Sequence, residues 1–230
     1  MTTTRTARRA RKSHLGRPPG ANSESTTARI LGAARACFSR TGWAATTNKE
    51  IADEAGVTTA TLYLYFDSKI ALYQAAVRAA YAELSPHFRA AVAEGESVRD
   101  RFRAVLLAAA RVHANDPSLA AFFAALPVEM RRHPEVGRTI NDEGAEVVGI
   151  FSDIVEQAVR EGELKAAVAP HVLSLFIACT MGMSLFFTAI DGSQFAGIID
   201  AFNGLIDGTL FQERRARLPR RRARGELKKR

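Results

Sequence analysis

Between Thr46 and Lys69 the chain reads TTNKEIADEAGVTTATLYLYFDSK, and no other stretch restricts the backbone so tightly. Thr47 and Glu50 form a capping-box pair, in which hydroxyl and carboxylate each accept an orphan amide at a helix start. Ile51, Ala52 and Ala55 then lay down a short apolar stripe at helical spacing. Gly56 stands where a helix ends on a left-handed residue, a conformation without steric cost for glycine. Val57 follows as a buried plug, and Thr58 caps a second helix expected over residues Thr59 to Tyr65. Leu62 and Phe66 share the inner face of that helix, while Thr59, Thr61, Tyr63 and Tyr65 are left for other faces. Asp67 or Ser68 caps a third helix, with Lys69 in its first turn.

A helix, a glycine-containing turn and a second short helix make the helix-turn-helix plan, whose second helix enters a DNA major groove. From Ala28 to Val77 the chain resembles the TetR family of transcriptional regulators, through TT, IA, AGV, TLY, YF and SK in that order and spacing. It departs from the family at Ala60, where glycine is common, and at Ile70, where an acidic residue is common. The resemblance implies an all-α fold: a three-helix DNA-binding domain followed by a helical ligand-binding and dimerisation domain. It implies that Thr47 and Asn48 open the supporting helix, near phosphate. Thr59, Ala60, Thr61 and Tyr63 would form the reading face, and Tyr65 and Lys69 would meet phosphates, which set register without reading sequence. Thr46 and Thr58 join this DNA-binding set. The reading face has no arginine or glutamine for a bidentate base contact, so Asn48 is the expected specific reader. For Tyr65 the alternative is packing beside Phe66 on the first helix.

Charge is divided unevenly. The chain has 32 Lys or Arg against 24 Asp or Glu, a net charge of +8. Residues 1–20 hold six of the cations and no acid, and residues 213–230 hold ten cations and two acids. The body between them is therefore acidic by six charges. Residues 21–80 are nearly balanced, so the acidity belongs to the C-terminal part, which is not expected to bind phosphate. The expected divisions are a disordered basic arm over 1–24, the DNA-binding domain over 25–72, the helical domain over 73–213 and a basic tail over 214–230. In the arm, Gly16-Arg17-Pro18 resembles a minor-groove AT-hook core. Arg17 is the candidate for such a contact, beside the reading of a basic leader that adds only salt-dependent affinity. Cys37 and Cys179 are far apart in apolar contexts, fitting a reduced cytoplasmic protein with no disulfide. The first residues lack the apolar core of a signal peptide. No metal site and no cofactor are expected.

After Gln74 the pattern is helical throughout. Helices are expected from Ser68 to about Glu83, Ser97 to Ala114, Pro117 to Leu126, Pro134 to about Glu161, Pro170 to Ile190 and Gln194 to about Arg214, with Pro86 and Pro127 as interruptions. The run His171 to Ile190 has no formal charge over twenty residues, which meets the length test for a membrane span. Its polar residues and the small pair Ala178 and Gly182 favour a helix buried against other helices, so no membrane partner is expected. Two such helices from each of two subunits would make a four-helix interface. Leu175, Cys179, Gly182, Phe195, Ile199, Phe202 and Ile206 are its candidates.

The family resemblance also implies a ligand cavity. Phe102, Leu106, His113, Phe122, Phe123, Leu126, Met130, Val147, Phe151, Met181 and Phe186 are candidates for its lining, each with ordinary core as the alternative. His113 with Asn115, or His133 with Arg131 and Arg132, could anchor a polar group. The chain has no phosphate-cradling glycine loop, HExxH, CxxC or GxSxG, and an enzyme is not expected. The expected protein is a dimeric repressor on a palindromic DNA operator, released by a hydrophobic or amphipathic effector. The alternatives are a ligand-independent or activating regulator of the same fold, and an architectural DNA binder.

Overall fold

The computed structural model describes residues 19–190 and 192–208, and among these there is no β-strand. Arg17, the basic arm before residue 19 and the basic tail over 214–230 lie outside the described residues. Nine α-helices follow in order: α1 (Pro19–Ala45), α2 (Asn48–Glu54), α3 (Thr59–Tyr65), α4 (Lys69–Ala93), α5 (Val98–Asn115), α6 (Pro117–Arg132), α7 (Pro134–Arg160), α8 (Ala169–Phe187) and α9 (Phe195–Ile206). Helix α1 starts at Pro19, so residues 19–24 of the arm expected to be disordered are helical.

The first three helices form where their local chemistry requires. Thr47 accepts the Glu50 amide while Glu50 accepts the Thr47 amide at 2.8 Å, which completes the capping box. Gly56 is left-handed at φ 63°, and Thr58 accepts the Thr61 amide at 3.0 Å to start α3. From α1, Arg29 donates to the carbonyls of Ala55 and Gly56, satisfying groups that the end of α2 leaves free. Ile30, Ala34, Phe38, Ile51, Ala52 and Leu62 close the small core between these helices.

Two prolines do not end their helices. Pro86 lies inside α4 and Pro127 inside α6, where they were expected to interrupt. Both are exposed, and buried residues anchor the helix around them: Leu84 and Phe88 in α4, Leu126 and Glu129 in α6. Packing of the buried face outweighs the local cost of a missing amide donor. Helix α9 ends at Ile206 with Asp207 and Gly208 in a turn, short of the end expected near Arg214; residues 209–214 lie outside the described residues.

The two regions share one core. Helix α4 passes through the boundary expected at residue 72, and α1 packs along both α4 and α6. At the junction Tyr73 meets Phe38 at 4.9 Å, Trp43 at 5.2 Å and Phe122 at 5.9 Å between ring centroids. Arg35 of α1 reaches Glu83 of α4 at 2.8 Å and Asp116, the cap of α6, at 2.6 Å. Burial alone would raise the Asp116 carboxyl pKa, but hydrogen bonds from Ser118 and the Arg35 charge hold it below the ordinary carboxylate value.

Candidate functional site: an outward helix face and an apolar pocket

Helix α3 turns Leu62 fully inward, which sets the direction of its other faces. Residues Ala60, Tyr63 and Leu64 point outward, with Tyr63 49% and Leu64 84% exposed, and Thr59 and Thr61 are half-buried at the margins. Leu64 was missed in the sequence, although it lies one helical turn beyond Ala60 and well away from buried Leu62. A helix with a leucine so exposed leaves an apolar tip that fits contact with thymine methyl groups.

The other DNA-binding candidates divide by what already holds them. Thr46 is buried: its hydroxyl donates to the Gly42 carbonyl at 2.7 Å and sits 2.8 Å from the Thr41 hydroxyl. It fixes the turn after α1 and is not available to a ligand. Thr47 and Thr58 serve as helix caps, the Thr61 hydroxyl sits 2.8 Å from that of Thr58, and all three keep some exposure. Asn48 is half-buried, and its Oδ1 is enclosed without a hydrogen-bond partner. Tyr65 packs against the core, the alternative open for it in the sequence. Lys69 donates to the Ala44 carbonyl at 3.1 Å and lies 4.7 Å from the centre of the Trp43 ring. Burial lowers its pKa, so the lysine is bound into the corner between α1 and α4.

That corner connects to the C-terminal helices through a buried acid. Glu129 of α6 accepts the Trp43 amide at 3.3 Å and lies 3.8 Å from His133. Gly42, beside it, is left-handed at φ 81°, and a Cβ there would stand 2.9 Å from Glu129 Oε1. The backbone conformation demands glycine at this position.

A pocket of about 260 Å³ opens between α4, α6, α7 and α8, with His113 of α5 also in its wall. Of the expected lining residues, His113, Phe123, Met130, Val147, Phe151 and Met181 are there. The others lie elsewhere. Phe102 stacks on Phe176 at 3.8 Å, Phe122 packs on Tyr73, and Leu106 and Leu126 are sealed in the core. Phe186 is half exposed on the outer side of α8. The sequence did not single out Tyr81, Leu84 and Phe88 of α4, nor Asn141, Gly144, Thr180 and Ser184, which complete much of the wall. Gly144 lets Tyr81 lie against α7, since a Cβ there would come within 2.9 Å of the phenol oxygen. Burial pushes the Tyr81 hydroxyl up to about 12.

His113 and Ser184 meet at 2.9 Å, and Ser184 donates to the Thr180 carbonyl at 3.1 Å. With its own proton on the Thr180 carbonyl, the serine oxygen is free to accept from His113 Nε2. Burial pushes the His113 pKa down to about 4, against a smaller opposing effect of Asp116. The unfolded chain binds this proton below its ordinary value of 6.5, while the folded chain refuses it until about 4. Stability due to His113 is complete above that window and is lost as pH falls through it. Lowering pH from about 7 to about 5 is expected to cost roughly 2 kcal/mol from this group, read by urea unfolding. His113→Leu should flatten the dependence in that range; an unchanged slope would remove the histidine as its source.

The outer faces of α8 and α9 complete the geometry. On α8, Leu175, Ala178, Gly182, Leu185, Phe186 and Ala189 just beyond it form one exposed apolar stripe. By length and composition the segment Ala166–Phe187 could cross a membrane, but its other face packs on α5, α6 and α7. Among the interface candidates, Leu175 and Gly182 lie on the stripe and Cys179 is half-buried beside it. Phe195 and Ile199 instead turn inward against Phe187 and Ala110, and Phe202 packs edge-on to Phe102 at 6.2 Å. They belong to the protomer's own core, because α9 needs that face to attach to α5. Its outward face carries Gly197, Ala201 and Leu205 instead. The side chain of Ile206 lies outside the described residues.

The fold and the outward α3 define an all-helical protein of the helix-turn-helix class. Residues 30–76 match the family described as bacterial regulatory proteins, tetR family. Residues 30–76 thus carry a domain of that family. No match was found among curated proteins. Among solved structures, Salmonella enterica GusR is similar at 26% identity and TM-score 0.62, covering 85% of this chain and 98% of that one. Bacillus subtilis FadR, solved in complex with stearoyl-CoA, is 18% identical with TM-score 0.64, covering 75% and 95%. A protein described as a tetR-family transcription regulator from Shewanella sp. PV-4 is 20% identical with TM-score 0.65, covering 79% and 95%. These last two likenesses are of fold.

Proposed function

We infer that the protein is a cytoplasmic homodimeric repressor that binds a palindromic DNA operator and leaves it when a small hydrophobic or amphipathic effector fills the pocket. The carrying observation is that the same helices bound the pocket and hold the DNA-binding corner. Helix α4 contributes Tyr81, Leu84 and Phe88 to the pocket and Tyr73 to the junction. Helix α6 contributes Phe123 and Met130 to the pocket, and Glu129 reaches the Trp43 amide. A ligand that favours one arrangement of α4 and α6 thereby favours one placement of α3. The shift is limited by the ligand's differential affinity for the two arrangements. That a FadR structure contains an acyl-CoA supports ligand binding in this fold.

Footprinting on genomic fragments tests the reading. A two-fold symmetric site, protected without ligand and released by a compound that binds the pocket, is the expected result. Protection that no pocket ligand changes would remove the gating. At the DNA face, Tyr63→Ala is expected to weaken operator binding by about 1–3 kcal/mol and nonspecific binding much less. Equal losses on both DNAs in a filter-binding assay would make Tyr63 scaffold.

A further inference from the structure

We propose that the centre of α3 reads its half-site by methyl groups rather than by hydrogen bonds, with Leu64 seated against the C5-methyl of a thymine in the major groove. This rests on the operator binding inferred above. Helical spacing places Ala60 and Leu64, one turn apart, on the line opposite buried Leu62, and both are exposed, Leu64 by 84%. The middle of the outward face is therefore apolar, with Tyr63 on one flank and Thr61 on the other. Docked with that face in the groove, the helix presents no hydrogen-bonding side chain to the bases beneath its centre. A leucine gains there from the thymine methyl. Against cytosine, adenine or guanine it would strip water from a polar edge and replace none of the lost hydrogen bonds.

Polar groups that could compete for this role are held elsewhere. The hydroxyls of Thr58 and Thr61 lie 2.8 Å apart, and Thr58 also accepts the Thr61 amide. Thr46 is sealed against Gly42, and Lys69 is engaged by the Ala44 carbonyl and the Trp43 ring. Asn48, the reader expected from the sequence, has its Oδ1 enclosed. It therefore cannot pair with adenine through both amide atoms, the arrangement that makes asparagine a specific reader. On the flank of α3, half-exposed Tyr63 keeps its hydroxyl for a neighbouring base or phosphate.

Titration of the full chain against its footprinted operator, with thymines exchanged for uracil in symmetric pairs, tests the proposal. Uracil lacks only the C5-methyl and keeps every hydrogen-bonding group of thymine. One such exchange is expected to weaken the unaltered chain about tenfold, since each buried methyl contributes roughly fourfold and a symmetric site holds two. Leu64→Ala, at a position so exposed that the domain core is untouched, should weaken binding to the thymine operator by about tenfold. The same variant should change by less than about twofold on the uracil exchange, because the two partners of one contact are not additive. Cytosine at the sensitive pair should weaken binding, and 5-methylcytosine in its place should recover about threefold or more, because the methyl returns without the thymine oxygen. An operator indifferent to every uracil exchange, equal uracil losses in the unaltered and Leu64→Ala chains, or no gain from cytosine methylation would overturn the methyl contact. A chain that protects no DNA would refute the operator reading as well, whereas a protected site indifferent to uracil leaves that reading standing and removes only the methyl contact.

Discussion

A Phe186→Glu chain is expected to sediment as a monomer and to bind its operator about a hundredfold or more weakly than the unaltered chain. Phe186 is 50% exposed and its neighbour Leu185 60%, both on the apolar stripe of α8. A contiguous exposed apolar face of this kind marks an interaction surface. The small residues Ala178 and Gly182 in the same stripe allow a second helix to approach closely, and nothing lies within 4 Å of a Cβ placed on Gly182. A carboxylate there would have to be desolvated opposite its own symmetry mate, a like charge with no cation on the stripe. Loss of the dimer separates the two recognition helices, and linked binding sites are worth about 10²–10⁴ in affinity over a single one. Analytical ultracentrifugation and operator titration measure the two halves of the prediction. A persisting dimer would move the interface away from α8. Phe202→Glu is a poor probe of the same question, since that ring packs inside the protomer on Phe102.

Phe122→Ala is expected to lower unfolding stability by about 3–5 kcal/mol. The ring is 1% exposed and belongs to α6, yet it closes the aromatic group formed by Tyr73 of α4 and Phe38 and Trp43 of α1. Its removal leaves a cavity where three helices meet, and α1 and α4 cannot collapse into it while Arg35 holds both α4 and α6. The lone tryptophan of the chain, Trp43, stands in the same group, so its fluorescence should report the change in the folded state. Urea unfolding gives the stability, with Val128→Ala on the exposed side of α6 as a comparison expected to stay within about 0.5 kcal/mol. A loss from Phe122→Ala as small as that of the comparison would mean that this junction does not join the two regions.

The sequence made the helix-turn-helix legible because its signals are local. Thr47 and Glu50, Gly56, and Thr58 each act on backbone groups within a few residues, and all three act in the structure as expected. Wherever a property depends on a partner distant in sequence, reading failed or stayed open. Pro86 and Pro127 look like helix ends, but buried neighbours hold their helices straight through. Lys69 looks like a free cation, but Trp43 and the Ala44 carbonyl claim it. Thr46 looks like its neighbour Thr47, yet one is sealed against Gly42 and the other is exposed. The pocket was half legible for a related reason. Phenylalanine and methionine mark apolar surroundings but not which of them border empty space, so Phe102 and Phe122 were grouped with Phe123, and Tyr81 was not singled out.

The sequence by itself determined the class of the protein, because caps, turn and stripe are set by contacts between residues three or four apart. Tertiary structure alone decided which side of each long helix faces inward. That choice puts Phe195 and Ile199 in the core and Leu185 and Phe186 on the surface. It brings His113 to Ser184 across 71 positions and Trp43 to Glu129 across 86. Apolar spacing gives a helix an inner stripe, but on helices as apolar as α8 and α9 more than one face qualifies. Only the competition among the described helices for buried area selects between them.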